Sequence, residues 1–206
     1  MNNLPSINNL TSLCLLILLF GCKKEPCLNI AELDKYDVEA KEWYVNDSIG
    51  TQKISDKNGI SQTLKVSSRN TYYSPNHVQD DCGNTYGWSY FSIQYNTSFS
   101  PLHFMVDING SGLPKDGFYL KMTITNTNSV SSKTTSYDFV SKNSRENNAT
   151  VVFNDQIQIL NKAYNNVLKI SFNETLSPND VRTVFYAKGF GIIKFITENG
   201  NEFEVN

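Results

Sequence analysis

The sequence predicts an all-β domain, either an antiparallel β-sandwich or an open or half β-barrel, with at most one short helix near the N-terminus. Three observations carry that expectation. From residue 43 onward apolar residues alternate with polar ones, the period of strands with one wet face. Asn58-Gly59, Asn109-Gly110, Asp116-Gly117 and Asn199-Gly200 sit between or beside the alternating runs, where hairpins need a residue of positive φ. The composition, 39% apolar and 18% charged over 206 residues, is that of one ordinary globular domain.

Taken in order, the elements begin with the only segment that invites a helix. Ile30, Leu33, Tyr36 and Ala40 recur at near-helical spacing between Asn29 and Trp43, although a strand fits there nearly as well. Ile60, Leu64 and Val66 then share one strand face, as do Phe91, Ile93 and Tyr95, and Leu102, Phe104, Val106 and Ile108. Phe118, Leu120, Met122 and Ile124 are the cleanest case, with Tyr119, Lys121, Thr123 and Thr125 facing the other way. The polar stretch Asn126 to Thr135 reads as a long hairpin loop. Later strands are expected at Tyr137 to Val140, Ala149 to Phe153, Gln156 to Leu160, Val167 to Phe172, Arg182 to Ala187, Gly191 to Thr197 and Glu202 to Val205. The side chains expected to fill the inward faces include Phe91, Ile93, Phe104, Phe118, Leu120, Phe153 and Phe172.

Charge excludes one class of partner. The 18 Lys and Arg against 20 Asp and Glu give a formal charge of −2, which is no footprint for nucleic acid. None of those charges falls in residues 1–21. There Leu13 to Phe20 form an unbroken apolar run that would span only about 12 Å as a helix, far short of the roughly 30 Å of a bilayer core. A run of this length near the start, ending at a small residue, matches a secretory signal peptide.

Leu19-Phe20-Gly21-Cys22 resembles the lipobox of bacterial lipoproteins, and Lys23-Lys24-Glu25-Pro26 switches at once to polar chain. The resemblance implies cleavage before Cys22 and a diacylglycerol thioether on its sulfur, with a palmitate-type chain among the anchoring acyl groups. Two or three acyl chains hold a protein stably to a membrane without spanning it. Lys23 after the lipidated position implies an outer-membrane destination, periplasmic or surface-facing. The expected organisation is a signal peptide over 1–21, a lipidated tether over 22–30 and a single antiparallel β domain over 31–206.

A second resemblance lies further on. Ile159-Leu160-Asn161-Lys162-Ala163-Tyr164-Asn165-Asn166-Val167-Leu168-Lys169-Ile170, followed by Val184-Phe185-Tyr186-Ala187-Lys188-Gly189-Phe190-Gly191-Ile192-Ile193-Lys194-Phe195, is similar to a recurring ending of Bacteroidetes-type lipoproteins. That similarity implies a mostly antiparallel β architecture and no catalytic residue. Gly189-Phe190-Gly191 reads as a pinched hairpin turn, since Lys194 stands where a dinucleotide fingerprint needs its third Gly.

Cys14 leaves with the signal and Cys22 is taken by lipid, so Cys27 and Cys82 are the thiols left in an oxidising compartment, and a disulfide is the natural expectation. On the chain-entropy argument its loop of about 56 residues would stabilise the fold by roughly 4 kcal/mol.

Motifs with strong mechanical meaning are missing: no G-x-S-x-G, phosphate loop, H-E-x-x-H or paired C-x-x-C occurs. A zinc site would need His77 and His103 completed by Asp80 or Asp81, and His103 reads better as a solvated strand residue opposite Leu102 and Phe104. No cofactor is implied. The unusual local composition is aromatic: Tyr72 and Tyr73, then Tyr86, Trp88 and Tyr90, flank the segment that holds Cys82. Exposed, such rings would contact a glycan or a protein partner. The blander reading has Trp88 and Tyr90 filling the core and Tyr72 and Tyr73 covering an edge. The sequence thus points to a membrane-anchored, non-enzymatic binding or structural module, with a half-barrel carrier of hydrophobic ligands as the alternative. A hydrolase whose acid and base converge only in three dimensions is the second alternative.

Overall fold

The computed structural model describes residues 38–44, 50–56, 58–79, 85–98, 102–111, 118–174 and 177–205. Cys22, Cys27 and Cys82, the signal and tether, Asp80, Asp81 and the Asp116-Gly117 step all lie outside the described residues.

A short helix, α1, covers residues 38–43. Among the described residues twelve strands follow: β1 (Thr51–Asp56), β2 (Ser61–Gln79), β3 (Thr85–Thr97), β4 (Leu102–Ser111), β5 (Phe118–Asn126), β6 (Ser131–Asp138), β7 (Asn143–Ser144), β8 (Ala149–Ile159), β9 (Lys162–Phe172), β10 (Val181–Ala187), β11 (Gly191–Thr197) and β12 (Glu202–Val205). They form one sheet in the order β7-β6-β5-β4-β3-β2-β1-β12-β11-β10-β9-β8. Every hydrogen-bonded pair is antiparallel, and β12 closes back onto β1 through Ile54 opposite Val205.

The two sheet edges, β7 and β8, are consecutive in the chain, so the sheet curls into a nearly closed barrel. One asparagine ties the seam: the Asn148 side chain, just before β8, donates to the Thr134 carbonyl on β6 at 2.6 Å, while the Asn173 amide and side chain prolong the β8–β9 ladder by donating to the Asn148 and Asn147 carbonyls at 2.9 and 3.0 Å.

A nearly closed sheet of twelve strands is wider than the roughly eight-stranded barrels whose side chains just fill the interior. This interior is closed by flattening. Phe104 on β4 and Phe195 on β11 come from strands five places apart in the sheet order, yet their ring centroids lie 5.4 Å apart. Phe195 in turn stacks on Phe203 at 4.8 Å. Opposite walls therefore touch across the middle, and the molecule combines the connectivity of a barrel with the packed core of a sandwich.

The clean alternation of β4 and β5 is realised residue by residue: Phe104 pairs with Ile124, Val106 with Met122 and Ile108 with Leu120, all buried. Other expectations need correction. Asn109-Gly110 is not a turn but lies inside β4, opposite Tyr119 and Phe118. The polar stretch from Asn126 is a four-residue turn followed at Ser131 by β6. Ala149 to Phe153 and Gln156 to Leu160 merge into the single strand β8. Ile60 stands exposed in the β1–β2 turn, where the Asp56 carboxylate accepts the backbone amides of Asn58 and Ile60 at 2.9 and 2.8 Å. Phe153 is 39% exposed, at one mouth of the barrel.

Helix α1 occupies that mouth. Ala40 and Trp43, one turn apart, are buried. Trp43 packs on Phe139 at 4.6 Å, on Phe153 at 6.3 Å and, stacked, on Tyr186 at 6.4 Å. Glu42 pairs with Lys188 in the β10–β11 turn. Leu160, at the tip of the β8–β9 hairpin, takes a φ of 52°, and midway along the hairpin the pairing skips Asp155 and Asn166, the latter at a φ of 53°. There Ile159, Tyr164, Val167, Ala187 and Ile193 make a second, smaller apolar cluster.

Candidate functional site

The most distinctive surface is the outer face of β2 to β5. Strand parity creates it: Phe91, Ile93 and Tyr95 face inward along β3, so Trp88 and Tyr90 must face outward. Register then aligns a row across neighbouring strands, with Tyr72 opposite Tyr90, Tyr90 opposite Asn109, Asn109 opposite Tyr119 and Tyr119 opposite Asp138. This corrects the expectation that Trp88 and Tyr90 fill the core.

The rings lie down on the sheet. The Trp88 indole N–H donates to Asn109 Oδ1, and the Tyr90 hydroxyl donates to Asp107 Oδ1 at 2.7 Å, so both side chains lean from β3 across β4. Their planes are within 28° of parallel, with centroids 5.9 Å apart. Tyr72 meets Trp88 at 5.4 Å, tilted by 60°. Asp107 and Asn109 point outward from their strand and are nevertheless only 7% exposed, because the rings cover them. Partial burial raises the Tyr90 phenol above its usual value, and the hydrogen bond it donates to the Asp107 carboxylate raises it further.

A charged pair bounds the row at its far end. Arg145 stacks over the Tyr119 ring at 4.5 Å and reaches Asp138 Oδ2 with Nη2 at 2.7 Å and Nε at 3.2 Å. Partial burial tends to raise the Asp138 carboxyl. The backbone amides of Ser141 and Val140 and the Arg145 guanidinium outweigh it and hold the group below the usual carboxylate range.

The remaining expected residues separate from this face. Tyr73 has opposite parity to Tyr72 and sits at the mouth closed by α1, with the Lys41 ammonium 5.9 Å from its ring. Tyr86 falls on β3, its side chain outside the described set. His103 is exposed as expected, its Nδ1 2.6 Å from Asn96 Oδ1, and His77 falls on β2 with its side chain outside the described set. Among the described residues no three His, Cys, Asp or Glu side chains gather as metal ligands would.

Two polar features escape a reading of sequence alone. At the barrel end away from α1, Asp180 is 1% exposed and its Oδ1 accepts from Asn126 at 2.7 Å, Ser129 at 3.0 Å and Ser131 at 3.3 Å. Beside it the Lys133 ammonium donates to the carbonyls of Glu174 and Val181 at 2.6 and 3.3 Å. The crevice they share with Leu102 and Ile124 leaves no room for a water molecule. At the α1 end, Tyr186 donates to the Trp43 carbonyl at 3.0 Å, and the Tyr95 hydroxyl is buried without a hydrogen-bond partner among the described residues.

Set beside known proteins, the chain matches no family model, no curated protein and no solved structure.

Proposed function

We propose that this chain is a lipid-anchored protein of the bacterial cell envelope, held by Cys22, whose β domain works by binding at its outer surface and not by catalysis or by enclosing a ligand. The observation that carries the reading is the contact of Phe104 with Phe195 across the barrel interior. A carrier in a half-barrel needs a lumen, and each Å³ of empty apolar cavity costs about 24 cal/mol of stability. Here the walls meet, Trp43 fills one mouth and the Asp180–Lys133 network closes the other end. What is left for recognition is the outside, and the outer face of β2 to β5 is its most specialised part. The apolar run before Cys22 and the Leu19-Phe20-Gly21-Cys22 step support the anchor.

The test of the anchor is intact-mass analysis of the full chain extracted from bacterial membranes with detergent. The proposal expects a product beginning at Cys22 that carries a diacylglycerol-sized addition and moves to the soluble fraction on Cys22→Ser substitution. A water-soluble wild-type product cut at another position would contradict it.

A further inference from the structure

We infer that the end of the barrel closed by α1 is a membrane-docking surface, with Leu160 and Phe190 seated in the interface of the bilayer that holds Cys22. The inference rests on the lipid-anchor reading and adds to it which part of the domain meets the membrane.

Apolar exposure is lopsided along the barrel. Val38, Tyr73, Val140, Phe153, Leu160 and Phe190 are between 39% and 58% exposed. All belong to the α1 end. Val38 opens the helix, Tyr73 lies beside Lys41 of that helix, and Phe153 packs on Trp43, as does Phe139, the residue before Val140. Leu160 and Phe190 occupy the β8–β9 and β10–β11 turns, the second of which is tied to α1 through Lys188 and Glu42. Among the described residues the turns of the opposite end expose Ile60 and Val130. Apolar side chains gathered on one part of a surface mark contact with a membrane or a protein.

The course of the chain favours the membrane. Val38 lies 16 positions after Cys22, so at full extension about 55 Å of chain joins the anchor to this end of the barrel. Tethering makes docking an intramolecular event, and contacts too weak to bind a bilayer alone then suffice. The Lys162 ammonium is 4.6 Å from the centre of the Phe190 ring and 4.9 Å from that of Tyr164. A cation beside apolar side chains suits the boundary where phosphate headgroups meet acyl chains.

Both turns are firmly mounted. β9 pairs with β8 as far as Lys162 but with β10 only as far as Val167, so the end of the β8–β9 hairpin runs on past the β10 ladder. Ile159 and Tyr164 on that end are buried with Val167, Ala187 and Ile193, and Tyr164 meets Phe190 edge to face at 5.4 Å. Leu160 and Phe190 are what this unit leaves outside, and a fixed mount reduces the ordering that docking must impose.

The experiment reconstitutes the full lipidated chain in vesicles of phosphatidylethanolamine and phosphatidylglycerol, with or without brominated acyl chains that quench a tryptophan in contact with them. Leu160→Trp and Val130→Trp put the probe in exposed turns at the two ends, over the same background of Trp43 and Trp88. The emission added by Leu160→Trp should be shifted to the blue and lost in brominated vesicles, while that added by Val130→Trp should be unshifted and retained. Retention of the Leu160→Trp emission in a chain that floats with brominated vesicles overturns the docking surface and leaves the anchor standing. A blue shift without quenching means that protein, a second copy or a partner, covers the turn, and overturns it as well. A chain that does not float with the vesicles removes the anchor reading and the inference together.

Discussion

Tyr186 on β10 donates its buried hydroxyl to the backbone carbonyl of Trp43, 143 residues earlier in the chain, at 3.0 Å. The bond locks the last turn of α1 into the mouth of the barrel, where the two rings also stack. Tyr186→Phe is expected to cost about 1 kcal/mol, the usual worth of one such bond, and Trp43→Ala about 3–5 kcal/mol, the transfer and cavity cost of a large aromatic. Because the groups touch, the double variant should lose less than the sum of the two in urea denaturation. Strict additivity would mean that helix and barrel are not coupled there.

Alkali should unfold the domain. Burial pushes the Tyr95 and Tyr186 phenols above their usual value, and Tyr95 raises Tyr186 further. Partial burial works to lower the Lys194 ammonium, but Glu202 at 2.5 Å and Glu204 at 2.7 Å outweigh it and raise it. In all three the folded form holds its proton more tightly than the unfolded chain. Their contribution is complete below pH 10 and falls as pH rises through the folded values. Phenolate absorbance should therefore rise late and together with loss of near-UV circular dichroism. Early, independent ionisation of all the tyrosines would contradict this burial.

Acid acts on the seam beside the aromatic row. The Asp138 carboxyl is held below its ordinary value of 3.8, so its contribution is present above that pH and disappears as pH falls through the lower folded value. The Asp138–Arg145 pair is partly exposed, and screening keeps its worth below about 1 kcal/mol. Asp138→Asn should lower the urea midpoint at pH 7, and the loss should shrink as pH falls below 3.8. Equal loss at neutral and acid pH would place the effect in packing.

Val130, at the tip of the β5–β6 turn, is 90% exposed and holds a φ of 52°, a left-handed conformation that a β-branched side chain resists. Relief of that clash should outweigh the added chain entropy of glycine, so Val130→Gly is expected to stabilise the domain by about 1 kcal/mol. Differential scanning calorimetry checks it through a higher Tm. A lower Tm would show that the turn itself selects valine.

Much of this architecture is legible in the sequence wherever one strand face is apolar and the other polar. β4 and β5 follow their alternation without exception, and even the outward position of Trp88 and Tyr90 is encoded in their parity against Phe91, Ile93 and Tyr95. β6 is illegible for a definite reason. Its inward positions include Ser131 and Lys133, buried near Asp180 and the β9–β10 connection, and such partners become visible only after distant chain is brought together. Asn109-Gly110 misleads likewise, because its turn chemistry is overridden by ladder pairing on both sides and by the Trp88 indole. No pattern within β4 announces that Phe104 will meet Phe195 from the opposite wall.

That contact is the centre of the account, since a filled interior sends recognition to the outer face. Native mass spectrometry of the full chain, purified gently from its membrane, tests it most directly. The account predicts a single species whose mass is that of the lipidated chain alone, with a cooperative melt that added fatty acid or phospholipid does not shift. A co-purifying acyl lipid at near-stoichiometric occupancy, lost together with stability on delipidation, would contradict it.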